Sequence, residues 1–144
     1  MSTRTLRSMF AAAVTGLLAS AAAVQPAAAG ADTSFCGGPG GKAAEILERI
    51  KAMPGIKEIH RTPEYIAYQD AATQAVYTFT GIAQKAHPAA VCRRPVQKGD
   101  ALELQMAIVC EGAARHCEQL EGDFKLLNAK MQADINNQIQ AGKK

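Results

Sequence analysis

The sequence predicts an α+β fold: a small antiparallel sheet of three or four strands, built from two hairpins, between a short N-terminal helix and a long C-terminal amphipathic helix. Apolar and polar residues alternate over Leu102 to Cys110, as in a strand with one buried side. From Ala113 to about Gln140, apolar residues recur every three or four positions, which is the period of a half-buried helix. Four cysteines in a chain of 144 residues favour a disulfide-stabilised domain.

Residues 1–29 have the pattern of an export signal peptide. Arg4 and Arg7 precede an apolar run from Met9 to Ala23. Small residues follow as far as Ala29, and a signal peptidase requires such residues just before its cleavage site. A membrane anchor is the alternative, but the run is shorter than the roughly 20 apolar residues of a spanning helix. We therefore expect cleavage near Ala29, export to a bacterial periplasm and no integral membrane span.

The remaining chain is nearly neutral. Loss of Arg4 and Arg7 lowers the formal net charge from +3 to +1, so the basic composition gives no support for a nucleic-acid partner. Residues 30–41 are predicted to form a flexible arm, because four glycines fall within the five residues 37–41. Residues 42–144 are predicted to form a single α+β domain.

The first helix is predicted over Lys42 to Met53 and ends at Pro54-Gly55. The apolar residues on its buried side are Ile46, Leu47, Ile50 and Met53. A hairpin follows, because Glu64 to Tyr68 and Gln74 to Thr80 are rich in aromatic and β-branched residues and flank a turn. The alternative is a helix over Tyr65 to Val76, which contains several alanines.

A second hairpin joins Val91–Val96 to Leu102–Cys110 around the turn residues Gly99 and Asp100. The long helix from Ala113 then covers the apolar face of the last strand. Its apolar stripe consists of Cys117, Leu120, Phe124, Leu127, Met131, Ile135 and Ile139. A helix of this length outruns the strand, so we expect part of it to project.

The four cysteines, Cys36, Cys92, Cys110 and Cys117, allow three disulfide connectivities. We prefer Cys110–Cys117, which closes a short loop, with Cys36–Cys92, which ties the arm to the domain. Redox catalysis is disfavoured because no C-x-x-C pair is present. A metal site built from Cys110, His116 and Cys117 is a further alternative, although adjacent helical residues point in different directions.

No catalytic constellation stands out in the sequence. Ser34 is the only serine after residue 29, and it lacks the glycine pattern of a nucleophile elbow. The histidines His60, His87 and His116 have no catalytic neighbours in sequence. We therefore expect a protein that is not an enzyme and carries no cofactor.

A basic cluster in the centre of the chain is the candidate anion site. Its members are Lys85, His87, Arg93, Arg94 and, at its end, Lys98. Arginine side chains suit carboxylate or phosphate binding because the guanidinium offers a planar fork of donors. In the alternative interpretation, Arg93 and Arg94 point to opposite faces of a strand and one of them pairs with Glu103.

This stretch also resembles a segment of small exported bacterial proteins of uncharacterised function. The similarity rests on Tyr77-x-Phe79-Thr80, then His87-Pro88-Ala89-x-Val91 and the basic residues that follow, up to Arg94. The resemblance implies an envelope location and a strand-rich centre, and it carries no catalytic residues.

The sequence thus favours a non-enzymatic periplasmic protein of the inhibitor, immunity or envelope-accessory type. We expect it to act by binding an envelope protein or a second copy of itself, with Met131, Ile135 and Ile139 as the docking residues. The alternative is a small metal or anion carrier that uses His87, His116 and the cysteines or the arginine pair.

Overall fold

The computed structural model describes residues 34–143 of the chain. These residues form two helices and seven strands. In chain order the elements are β1 (Ser34–Phe35), β2 (Gly38–Pro39), α1 (Ala43–Lys51), β3 (Ile56–Arg61), β4 (Tyr65–Asp70), β5 (Val76–Thr80), β6 (Ala89–Lys98), β7 (Ala101–Cys110) and α2 (Ala114–Gly142). The signal peptide predicted for residues 1–29 lies outside the described residues.

The main sheet is an antiparallel meander of five strands in the order β3-β4-β5-β6-β7. The two predicted hairpins are confirmed as β4–β5 and β6–β7, and the alternative helix over Tyr65 to Val76 is wrong. The predicted count of three or four strands is also wrong, because β3 adds a fifth. The sequence pattern hides β3 because every residue after Ile56 is exposed. A bulge between Glu58 and His60 also interrupts its alternation.

The Asp70 side chain closes the turn between β4 and β5. Asp70 Oδ1 accepts a hydrogen bond from the Ala72 N–H at 2.9 Å, and Oδ2 accepts one from the Thr73 hydroxyl at 2.7 Å. These bonds, that from the Thr73 hydroxyl most strongly, stabilise the charged carboxylate and lower the pKa of Asp70. Gln74 follows with a φ of 58°. An alanine-rich segment therefore forms a turn here instead of continuing a helix.

The two faces of the main sheet belong to separate cores. On one face, α1 and the β1–β2 hairpin pack over the central strands. The buried members of this first core are Phe35, Cys36, Ala43, Ile46, Ile50, Tyr68, Ala75, Tyr77, Phe79, Ala90 and Cys92. On the other face, the first half of α2 packs over β6 and β7. The second core consists of Ala86, Ala89, Val91, Leu120 and Phe124, with Tyr65, Met106, Ile108 and Cys110 partly buried beside it.

The glycine-rich segment before α1, expected to be a flexible arm, contains the short β1–β2 hairpin. Its turn places Cys36 and Gly37 at positive φ, 52° and 83°. Phe35 is buried and packs against Tyr77, with ring centroids 6.4 Å apart. The hairpin is therefore part of the first core, which glycine content alone does not indicate.

Both preferred disulfides are present, Cys36–Cys92 and Cys110–Cys117, and no cysteine is free. The first joins the β1–β2 hairpin to β6, and the second links the end of β7 to the first turn of α2. An added Cβ at Gly112, between the paired cysteines, would lie 2.7 Å from the carbonyl oxygen of Ala86. Glycine is required there because the two backbones approach so closely.

The helix α2 lies along β7, which is an edge strand of the main sheet. Asn128 Nδ2 donates a hydrogen bond to the Leu104 carbonyl at 3.1 Å. Gln132 Oε1 accepts one from the Leu104 N–H at 2.7 Å, and Gln132 Nε2 donates one to the Leu102 carbonyl at 2.8 Å. The two amides thus satisfy outward-facing backbone groups of the edge strand.

The two long elements differ in reach. At 1.5 Å per residue, the 29 residues of α2 extend about 43 Å, whereas the 10 residues of β7 extend about 33 Å. Because Gln132 already lies beside the second residue of β7, the last turns of the helix continue past the strand. Within residues 34–143, neither helix is both long enough and apolar enough to cross a membrane.

Candidate functional site

A groove runs beside α2, above the part of the sheet that the helix leaves uncovered. This α2–β3 groove has a volume of about 410 Å³. Its lining residues are Ile59, His60, Tyr65, Ala67, Val76, Thr78, Arg93, Asp123, Phe124 and Leu127. Ile59 on β3 and Leu127 on α2 are 50% and 42% exposed, although both are large and apolar. The groove is thus an open continuation of the second core with an apolar residue on either side.

The inner surface of the groove is well ordered by packing. Phe124 is buried and meets Tyr65 edge to face, with ring centroids 6.2 Å apart. The Tyr65 hydroxyl in turn accepts a hydrogen bond from the Gln84 side chain. Ala67 and Thr78, from β4 and β5, are buried beneath the opening. Packing between these side chains therefore shapes the inner surface of the groove.

Arg93 is the one strongly basic residue that lines the groove, and its surroundings are unusual for a cation. The guanidinium carbon lies 5.5 Å from the centroid of the Phe124 ring, and Nη1 contacts the Met131 sulfur at 2.9 Å. Arg93 Nε is buried and has no hydrogen-bond partner among residues 34–143. Burial lowers the pKa of Arg93. Within residues 34–143, no carboxylate lies within ion-pairing distance of this guanidinium.

The structure separates the residues of the predicted anion cluster. Lys85, His87, Arg93 and Arg94 line four different cavities. The His87 ring nitrogen Nδ1 lies 2.8 Å from the Thr80 carbonyl oxygen, beside α1. Arg94 lies on the opposite face of β6 from Arg93, and its Nε donates to the Gln105 side chain at 2.8 Å. These four residues therefore do not form a shared rim, and Arg93 alone belongs to the groove.

The expected pairing of an arginine with Glu103 is wrong. Glu103 instead pairs with Lys98, with 2.5 Å between the Glu103 carboxylate and the Lys98 ammonium. Both side chains are largely exposed near the tip of the β6–β7 hairpin. The acid is thus too far along the strand to neutralise Arg93, which pairs in register with Met106.

A second, polar cavity of about 290 Å³ lies on the other side of Asp123. Its lining residues are Glu64, Ala83, Gln84, Lys85, His116, Gln119, Leu120 and Asp123. Across residues 34–143, no three His, Cys, Asp or Glu side chains are grouped closely enough to hold a metal ion. The alternative set Cys110, His116 and Cys117 cannot supply thiolate ligands in this state, because both sulfurs are joined in a disulfide.

The predicted docking residues Met131, Ile135 and Ile139 are half-buried. The most exposed apolar residues of α2 lie one turn earlier, at Leu126 and Leu127, which are 74% and 42% exposed. The apolar period of α2 predicts a buried Leu127, and the sequence pattern does not distinguish Ile59. Ile59 could not be identified from the pattern because its strand was not predicted, and because the groove depends on where α2 crosses the sheet.

Comparisons with protein-family models, curated proteins and solved structures found no significant match to this chain.

Proposed function

We propose that this protein is an exported, non-enzymatic binding protein that acts on a protein partner, as an inhibitor, an immunity protein or an accessory subunit of the bacterial cell envelope. The observation that carries the proposal is the pair Ile59 and Leu127, exposed on opposite sides of a largely apolar groove. Burying a large apolar side chain contributes about 1.5–3 kcal/mol, so the groove gains stability when a partner covers it.

The partner surface extends along α2 in this proposal. The helix continues past β7, and Met131, Ile135 and Ile139 follow Leu127 at helical spacing towards its end. A partner seated in the groove can therefore also contact the projecting part of the helix. Either an envelope protein or a second copy of the chain would bury such a continuous surface.

Site-specific photo-crosslinking in the exporting host tests this proposal. A photoreactive phenylalanine replaces Ile59, Leu127 or Ile135, one at a time, and Ile82 serves as the control because it is 91% exposed and does not line the groove. We expect positions 59 and 127 to crosslink to the same protein and position 82 to give no such product. A product at position 135 alone would place the partner on the helix end instead.

The isolated partner then allows a quantitative check. Leu127→Asp should weaken binding at least tenfold, because the variant loses an apolar contact and brings a carboxylate that must give up its hydration in the interface. Ile82→Asp should leave the dissociation constant unchanged. Equal affinity of the wild type and the Leu127→Asp variant would contradict the proposal.

The periplasmic location and cleavage after Ala29 form part of the proposal. Two disulfides in a small domain fit an exported protein, since such bonds persist in oxidising compartments. Osmotic-shock release followed by N-terminal sequencing should give a chain that starts at Gly30. Recovery of an uncleaved chain from the membrane fraction would contradict it.

A small anion carrier is the second candidate function, and one observation favours it: the Arg93 guanidinium has no carboxylate partner within residues 34–143. Calorimetric titration of the oxidised protein with phosphate tests this candidate. Heat above that of dilution, lost on Arg93→Met, would support it.

A further inference from the structure

We propose that the α2–β3 groove recognises a protein segment in which an apolar side chain lies next to an aspartate or glutamate, and that Arg93 binds this carboxylate. The inference rests on the proposed function, because it names the chemistry of the segment that the partner inserts. It makes Arg93 the residue that determines specificity, while Ile59 and Leu127 supply apolar contact.

The first support is the state of the Arg93 side chain. A half-buried cation is stable when it is paired and fully hydrogen-bonded, and the observed contacts of Arg93 are an aromatic ring and a thioether sulfur, which is a weak acceptor. Its Nε is buried and has no acceptor in the part of the chain that the structure describes. The ring contact is a cation–π interaction, but it leaves the buried Nε donor unpaired, whereas an apolar residue would pack against Phe124 without that cost.

The second support is the distribution of charge around the groove. Asp123 and His60 also line it, but both are exposed, and Asp123 separates the groove from the polar cavity. Arg93 is the charge that approaches the buried centre of the site. A carboxylate brought there would pair with a guanidinium that is partly removed from water, where charge-assisted hydrogen bonds are stronger than at an exposed site.

The third support is that the apolar contacts flank the charge. Phe124 lies against Arg93, and Leu127 follows Phe124 on the same side of α2. Ile59 approaches from β3 on the other side. An acidic side chain that reaches Arg93 therefore brings its neighbours in the same segment against Leu127 or Ile59, which is why we pair the acid with an apolar residue.

Peptide selection gives a defined probe for this chemistry. Short random peptides displayed on phage are selected for binding to the oxidised, exported protein. Peptides that also bind the Leu127→Asp variant are discarded. We expect the remaining peptides to contain an acidic residue beside an apolar one. Changing that acid to its amide should weaken binding at least about tenfold, because a hydrogen bond to a charged group is lost.

Variants of Arg93 complete a double-mutant cycle. Arg93→Met keeps an unbranched apolar stem against Phe124 and should weaken binding of the acidic peptide at least about tenfold. For the peptide with the amide, Arg93→Met should cause no further loss of affinity. Arg93→Lys keeps the charge without the planar fork and should bind with intermediate affinity. Arg94→Met, on the opposite face of the same strand, is the matched control and should bind like the wild type. Thermal unfolding of each variant verifies that it is folded.

The outcomes distinguish this inference from the proposed function. Leu127-dependent peptides without an acidic residue, or unchanged binding by Arg93→Met, would overturn the role of Arg93 and leave the partner groove intact. If no selected peptide depends on Leu127, the proposed function itself fails. Decanoate serves as a probe for a small apolar acid. If the protein binds decanoate through Arg93 and binds no peptide, the groove is instead a site for such an acid. A wild-type dimer that Leu127→Asp dissociates would assign it to a second copy.

Discussion

Arg93 and Arg94 are adjacent in the chain, yet they belong to different sites because successive strand residues point to opposite faces. The sequence was sufficient to raise this possibility once β6 was predicted. It was not sufficient to show which arginine would be left without a partner. That depends on α2, which brings Phe124 and Met131 to one face while Gln105 meets Arg94 on the other.

Replacing Arg93 by methionine should not destabilise the fold. The change removes a half-buried cation with unmet hydrogen bonds and retains an apolar contact with Phe124. We expect the free energy of unfolding in urea to stay the same or to rise by up to about 1 kcal/mol. A loss of more than about 2 kcal/mol would show that Arg93 is needed for structure, contrary to the assigned binding role.

Asp70 should make stability depend on pH in the acidic range. Because its folded-state pKa is lowered by the Thr73 hydroxyl and the Ala72 N–H, its stabilising effect is present above the ordinary aspartate pKa. The effect is lost as the pH falls through the lowered value. Asp70→Asn should therefore lower the urea midpoint at about pH 6 and have a smaller effect at about pH 3. Asp134→Asn, at an exposed position in α2, is the control and should show no such difference.

At the scale of elements, the helices and the two hairpins could be predicted because each has a clear apolar period. The edge strand β3 could not be predicted, because its side chains are mostly exposed and the bulge at residues 58–60 shifts its register. The contribution of Asn128 and Gln132 was also invisible in the sequence. Their partners are backbone groups of β7, which leave no trace in the pattern of side chains.

Gln132→Ala should detach part of α2 from β7. The substitution removes both side-chain hydrogen bonds to Leu102 and Leu104. We expect the free energy of unfolding to fall by about 1–2 kcal/mol, because water can partly replace these bonds. Hydrogen exchange of the Leu104 amide should become faster. Gln138→Ala, exposed on the same helix, is the matched control. Unchanged protection of Leu104 would contradict this description of the edge.

At the scale of the whole molecule, two disulfides connect elements that the sheet alone does not hold. Cys36–Cys92 joins residues 56 positions apart, whereas Cys110–Cys117 spans 7. Their pairing could be preferred from sequence because Cys110 and Cys117 close a short loop and a bond from Cys36 to Cys92 ties the arm to the domain. The structure of the glycine-rich segment could not be predicted, because it depends on the contact of Phe35 with Tyr77, which is far away in the sequence.

Removing the two disulfides separately should have unequal effects. The chain-entropy estimate gives a loss of about 4 kcal/mol for the pair Cys36→Ala and Cys92→Ala, and about 2–3 kcal/mol for Cys110→Ala and Cys117→Ala. Urea unfolding of the two double variants measures the difference. Thiol titration of the native wild type should detect no free cysteine. A larger loss for the short loop would contradict the entropic account.

The amides of Asn128 and Gln132 also give the main sheet two unlike edges. At Leu102 and Leu104, β7 already has hydrogen-bond partners on its outer side, whereas within residues 34–143 no strand lies beside the outer edge of β3. We therefore expect the sheets of two molecules to pair along β3 of both, related by a two-fold axis. Such a pair is closed, because it uses the open β3 edge of each molecule. The same side chains that hold the helix in place thus also disfavour growth of the sheet along β7.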